Sequence, residues 1–134
     1  MKSVLLVDDD EHFQYSLRRS CKKIPEIIDF FTANNGQEAV DFLVKRIEDG
    51  ERPPDFILLD INMPVMDGFE FLARYGALKS QYGEALNTIV LAMLTSSAHA
   101  KDRDRAMATG LVQSYVIKPV DAAEAVSMIQ RLVA

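Results

Sequence analysis

Val4-Leu5-Leu6-Val7-Asp8-Asp9-Asp10 decides the fold, because a short apolar run ends there abruptly in three acids. Three more segments share the plan. Phe56-Ile57-Leu58-Leu59 runs into Asp60, Ile89-Val90-Leu91-Ala92-Met93-Leu94 meets Thr95-Ser96-Ser97, and Tyr115-Val116-Ile117 meets Lys118-Pro119. Continuous apolar runs of this length, bounded by turn signals, read as strands buried on both faces, as in a parallel sheet covered by helices. Such sheets bind ligands outside the carboxyl ends of their strands. Carboxylates from two strands, a hydroxyl and an ammonium are therefore expected at one edge.

The intervening stretches carry a helical period. Phe13, Leu17, Cys21 and Ile24 form one apolar stripe, predicting a helix from about Asp10 to Lys23. Ala39, Val40, Leu43, Val44 and Ile47 repeat the pattern after the turn Asn34-Asn35-Gly36, and Gly50 with Pro53-Pro54 stops that helix before Asp55. Asp67 with Glu70 reads as a capping box opening a helix through Leu72, Tyr75 and Leu78. The stretch Ala98 to Thr109 is charged and poor in large apolar groups, so its helix should be loosely held. Ala122, Ala125, Val126, Ile129 and Val133 line a last helix, and Ile27-Ile28-Asp29-Phe30-Phe31 supplies a further strand. Strand and helix alternate five times, which predicts a parallel sheet with right-handed crossovers.

Composition narrows the function. The 134 residues, 49% apolar and 26% charged, suit one globular domain with a real core. No linker, repeat or second catalytic block is recognisable, so a single domain over residues 1–134 without an output domain is the expectation. A net charge of −5 argues against nucleic-acid or anionic-membrane binding. Ile89 to Leu94 is too short to span a bilayer, and the aspartates after Val7 break any signal-peptide reading of the start. The lone Cys21 excludes an internal disulfide and fits a reducing compartment, so a cytoplasmic location is expected.

At the strand ends, Asp8, Asp9 and Asp60 are hard oxygen donors that repel one another when packed together, and a cation relieves that repulsion. The carboxylates are too few for a calcium cage. Magnesium suits them, because it takes one or two carboxylates and shares its shell with waters and a phosphoryl group. Asp10 reads simply as a cap of the following helix. Pro64 in Ile61-Asn62-Met63-Pro64 keeps Asp60 on a loop, where a carboxylate beside magnesium can attack phosphorus and form an aspartyl phosphate. Lys118 and Thr95 or Ser96 would supply the cation and hydroxyl that neutralise the transferring group.

Asp8-Asp9, Asp60 before Asn62-Met63-Pro64, Met66-Asp67-Gly68, Thr95-Ser96-Ser97 and Tyr115-Val116-Ile117-Lys118-Pro119 together resemble the receiver domain of bacterial response regulators, over the whole chain. The resemblance implies a flavodoxin-like (βα)5 fold with strand order 2-1-3-4-5 and helices on both faces. It implies that a histidine kinase or histidine phosphotransfer protein donates a phosphoryl group to Asp60, the phosphoacceptor. By the same carry-over Asp9, Asp60 and the backbone carbonyl of Asn62 would bind Mg2+, with Asp8 acting through water. Lys118 would pair with the phosphoryl group or Asp60, Tyr115 would be the aromatic switch, and the Lys118-Pro119 bond would be cis. Counting back from Lys118 puts the switch hydroxyl at Ser96, whereas the strand end puts it at Thr95, which we prefer. The acidic start and the long turn from Gly50 to Pro54 also resemble single-domain regulators paired with phytochrome-type kinases.

The expected function is thus a phosphorylation-controlled binding module, not an enzyme with a separate substrate. Its readout would be protein contact through the helix from Ala98 to Thr109 and the strands beside it, a face that is also a candidate for homodimer contacts. The downstream protein is not named by the residues. An aspartate-nucleophile phosphatase of the haloacid dehalogenase type would need a second acid where Asn62 stands, and a flavin carrier would meet repulsion from Asp8-Asp9-Asp10. Cys21 is read as core packing, His12 and His99 as solvated helix residues, and Met63 and Met66 as loop packing. The basic group Arg18, Arg19, Lys22 and Lys23 complements a helix C-terminus.

Overall fold

The computed structural model describes residues 2–96, 99–119 and 121–133. Five strands, β1 (Lys2–Val7), β2 (Ile27–Ala33), β3 (Phe56–Leu59), β4 (Val90–Thr95) and β5 (Ser114–Ile117), form one parallel sheet of order β2-β1-β3-β4-β5. They alternate with α1 (Glu11–Cys21), α2 (Gly36–Glu48), α3 (Gly68–Tyr82), α4 (Ala100–Ala108) and α5 (Ala122–Val133). A single 3-10 turn, Gly83–Leu86, follows α3. This is the flavodoxin-like arrangement expected. Ala98, the expected first residue of the fourth helix, lies outside the described residues, as does Ser97.

Period-two alternation along the central strands builds two cores. Leu5, Val7, Ile57, Leu59, Leu91 and Met93 point to one side, against Leu43 of α2, Phe71 and Tyr75 of α3 and Ala106 of α4. Val4, Leu6, Leu58, Ala92 and Leu94 point to the other, against Leu17 and Cys21 of α1 and Met128 and Ile129 of α5. Leu5, Leu43 and Leu59 are wholly buried, and truncating such a leucine to alanine costs about 2–5 kcal/mol. Helix starts are set by the chain itself. Asp10 caps α1 by accepting from the Phe13 N–H at 3.2 Å, and Asp67 and Glu70 form the expected capping box at 2.8 and 3.2 Å. As anticipated, α4 is thinly anchored, with Ala106 its one buried residue. The guanidinium of Arg105 adds a second anchor, 3.9 Å from the Phe69 ring centre.

Two backbone features depart from the sequence reading. No peptide bond among the described residues is cis, so the Lys118–Pro119 bond is trans, the lower-energy form for X–Pro bonds. Val65, beside Pro64, has φ 68° while its side chain is 79% exposed, a strained setting for a β-branched residue. No described helix is long and apolar enough to cross a membrane.

Candidate functional site

Register places the acids. Val7 and Leu59 are paired across β1 and β3, so Asp8 and Asp60, each the next residue, leave the sheet side by side at roughly the 4.8 Å strand spacing. Their backbones stay tethered to the neighbouring strands. The Asp8 N–H donates to Ala33 O and the Asp60 N–H to Val7 O, each at 2.9 Å. Pairing of Thr95 with Ile117 sets Lys118 just beyond β5, where its N–H donates to Thr95 O at 2.8 Å.

Side chains converge from these anchors. Carboxylate oxygens of Asp8, Asp9 and Asp60 lie within 4.8 Å of one another, with Asp8 and Asp60 buried and Asp9 exposed. Lys118 Nζ stands 2.8 Å from Asp8 Oδ2 and 3.4 Å from Asp60 Oδ2. The closer contact is an ion pair lying off the hydrogen-bond direction, and Asp8 Oδ2 has no directed donor among the described residues. Burial pushes the Asp8 carboxyl above its ordinary 3.8, while Lys118 and the Asp10 N–H pull it partly back. Burial alone would lower the Lys118 ammonium, but contact with Asp8 and the charges of Asp8 and Asp60 hold it above 10.5. A buried carboxylate oxygen without a directed donor, set among further hard oxygens, is a donor set that fits a hard divalent cation.

The loop after Asp60 folds back tightly. The Ile61 N–H donates to Asp60 Oδ1 at 2.8 Å, and the Gly68 N–H donates to Ile61 O at 2.7 Å. A Cβ on Gly68 would lie 2.3 Å from Asp60 O, so this glycine serves close approach and not a positive φ. Gly36 plays the same part for the neighbouring loop, where its Cβ would meet Met66 at 2.8 Å. Asn62 is exposed on the loop, while Met63 and Met66 pack against the core under it.

Of the remaining candidates, Thr95 ends β4 fully buried and Ser96 is exposed in the bend that follows. Tyr115 is half-buried against the core beside α4, two residue pairs before the Thr95–Ile117 pair in the β4–β5 register. His12 and His99 are exposed, and Cys21 is buried with its thiol pushed up to about 12. Arg18 leaves the basic group to lie over Phe30, 5.0 Å from its ring centre. Two residues contribute to the site that the sequence does not mark as members of it. Gln14 donates to Asp8 O and to Asn34 Oδ1, tying α1 to the rim of the site. Phe13 presents its ring to Lys118 Nζ at 4.7 Å.

Comparison with known proteins agrees with this geometry. The family model of the response regulator receiver domain matches residues 4–130. An uncharacterised 14.6 kDa protein of Leptolyngbya boryana is 33% identical, over 96% of this chain and 87% of that protein. The transcriptional regulatory protein PrrA of Mycobacterium tuberculosis is 31% identical over 96% of this chain, which spans only 48% of that regulator. The phosphorylated cyanobacterial phytochrome response regulator RcpA superposes with a TM-score of 0.79 at 25% identity, covering 98% of this chain and 90% of RcpA. The chain belongs to the response regulator receiver domain family, the phosphoacceptor module of two-component signalling.

Proposed function

We propose that Asp60 is the phosphoacceptor, taking a phosphoryl group from a histidine kinase or histidine phosphotransfer protein in a magnesium-dependent reaction. The observation that carries this reading is the convergence of Asp60 with Asp8, Asp9 and Lys118 at the carboxyl edge of the sheet. A carboxylate oxygen of Asp60 attacks phosphorus as the P–N bond of the donor phosphohistidine breaks, the bonding pair returning to that ring nitrogen. The ring, already protonated on its other nitrogen, leaves as neutral imidazole. Asp9, Asp60 and the Asn62 carbonyl would hold magnesium, with Asp8 acting through water, and the ion when bound would neutralise charge on the phosphoryl oxygens. Lys118 supplies the second positive charge, and the Thr95 hydroxyl, with Ser96 as the alternate, would reach the same oxygens. The chain would catalyse its own phosphotransfer and hydrolysis without a separate substrate.

Output is then a change of protein contact. Thr95 and Tyr115 border α4, whose single buried residue leaves it easy to shift. A cytoplasmic setting and a phytochrome-type donor fit the reading, the latter supported by the likeness to RcpA. Acetyl phosphate with magnesium should add one hydroxylamine-labile phosphoryl group, and Asp60→Asn should take none. Full labelling of that variant would remove Asp60 from the reading. Magnesium at a hundredfold excess over its dissociation constant should stabilise the fold by about 2.7 kcal/mol, and identical melts with magnesium or chelator would remove the metal site.

A further inference from the structure

Lys118 has a third neighbour besides the two carboxylates. Its Nζ stands 4.7 Å from the centre of the Phe13 ring, on the first turn of α1. Asp8 and Asp60 direct the ammonium only weakly, since the 2.8 Å contact to Asp8 lies off the hydrogen-bond line and the hydrogen bond it donates to Asp60 Oδ2 is long, at 3.4 Å. A lysine at the rim of a site has four rotatable bonds and water within reach, so charge alone holds it loosely. A ring face adds attraction along one defined direction and shields that side from solvent.

The ring is itself fixed. Phe13 is half-buried and packs on the core between α1 and α5 that holds Leu17 and Cys21. It also lines a groove of about 460 Å³ between those helices, together with Pro119, the chain neighbour of Lys118. Packing therefore locates the ring, and the ring locates the ammonium. An aliphatic side chain of similar size would fill the same space but would carry no negative face.

The geometry points to Phe13 as a positioning residue for phosphoryl transfer, its ring face holding the Lys118 ammonium against Asp60. This rests on Asp60 being the acceptor. The test replaces Phe13 by monofluoro-, trifluoro- and pentafluorophenylalanine, which keep the shape of the ring while draining negative potential from its face. The rate of Asp60 labelling by acetyl phosphate at saturating magnesium should fall stepwise along the series, by about two- to fivefold in all. Phe13→Leu should sit at the slow end and Phe13→Tyr should restore the rate, with melting temperatures alike across the fluorinated set. Ring current should shift the Lys118 ε-methylene protons upfield, a shift lost in Phe13→Leu. A labelling rate that stays flat along the series overturns the inference, as does an unshifted Lys118 methylene in the parent chain. A parent chain that takes no phosphoryl group overturns the receiver reading and the inference together.

Discussion

Gly68→Ala is the sharpest probe of how the loop holds Asp60. The added methyl would start 2.3 Å from Asp60 O, 2.9 Å from Ile61 Cα and 3.2 Å from Asp60 C. All three are backbone atoms, so no side chain can swing aside. Ordinary contact requires the two segments to part by roughly 1 Å, which breaks the 2.7 Å hydrogen bond from Gly68 N–H to Ile61 O. Overpacking of this kind costs about 1–3 kcal/mol and the lost hydrogen bond about 1 kcal/mol. Alanine recovers up to about 1 kcal/mol as the better helix former. The clash wins, leaving a loss of about 2 kcal/mol, or roughly 6–10 °C in melting temperature for a domain of this size. A displacement of roughly 1 Å at Asp60, the proposed phosphoacceptor, should also slow labelling by acetyl phosphate about 100-fold. Thermal melts and timed labelling measure both. A variant that melts with the parent chain and labels at its rate would refute the argument that Gly68 is required for close approach to Asp60.

Val65→Asn should stabilise the protein by about 1 kcal/mol, because asparagine tolerates the left-handed backbone that valine occupies at φ 68°; urea unfolding would show it as a raised midpoint with unchanged slope. Tyr75→Phe should be neutral or stabilising, since the buried Tyr75 hydroxyl has no hydrogen-bond partner among the described residues; a loss above about 1 kcal/mol would mean that the hydroxyl is satisfied. Folding raises the Asp8 carboxyl above 3.8, so its contribution to stability is present below that pH and is lost as pH rises through the folded value. In chelator, Asp8→Asn should therefore gain on the parent chain as pH rises from about 4 towards neutrality, and melts across that range that run parallel would exclude the effect.

Sequence and structure agree where the signal is periodic. Three of the four strand ends with reactive side chains were legible because their runs are buried on both faces and carry no polar alternation. The fourth, Tyr115-Val116-Ile117, lies in the edge strand β5, is only half-buried with Ile117 exposed, and was legible from its apolar composition alone. The capping box at Asp67 and Glu70 was legible because its partners lie three residues apart. Strand β2 runs on to Ala33, past the expected end at Phe31, because pairing with β1 extends it and local composition does not. The 3-10 turn at Gly83–Leu86 carries no such signal and went unread.

What the sequence left hidden depends on the azimuth of side chains between elements. Phe13 was legible as one member of an apolar stripe, but that stripe does not say that its ring meets an ammonium arriving from β5. Arg105 was legible only as one charge among many on α4, yet its guanidinium lies against Phe69 on the helix that follows the Asp60 loop. Both contacts join a charged group to an aromatic face across two elements distant in sequence, and no spacing rule predicts such a meeting. The trans Lys118–Pro119 bond belongs here too, since the isomer follows from how the loop closes over the sheet edge. Periodicity thus places groups at an edge, while the reach and direction of each side chain decide which of them touch. At this edge the difference matters. The acids came from strand ends that could be read, whereas the apolar stripe turned Phe13 towards the core without saying which side chain from beyond β5 its ring would meet.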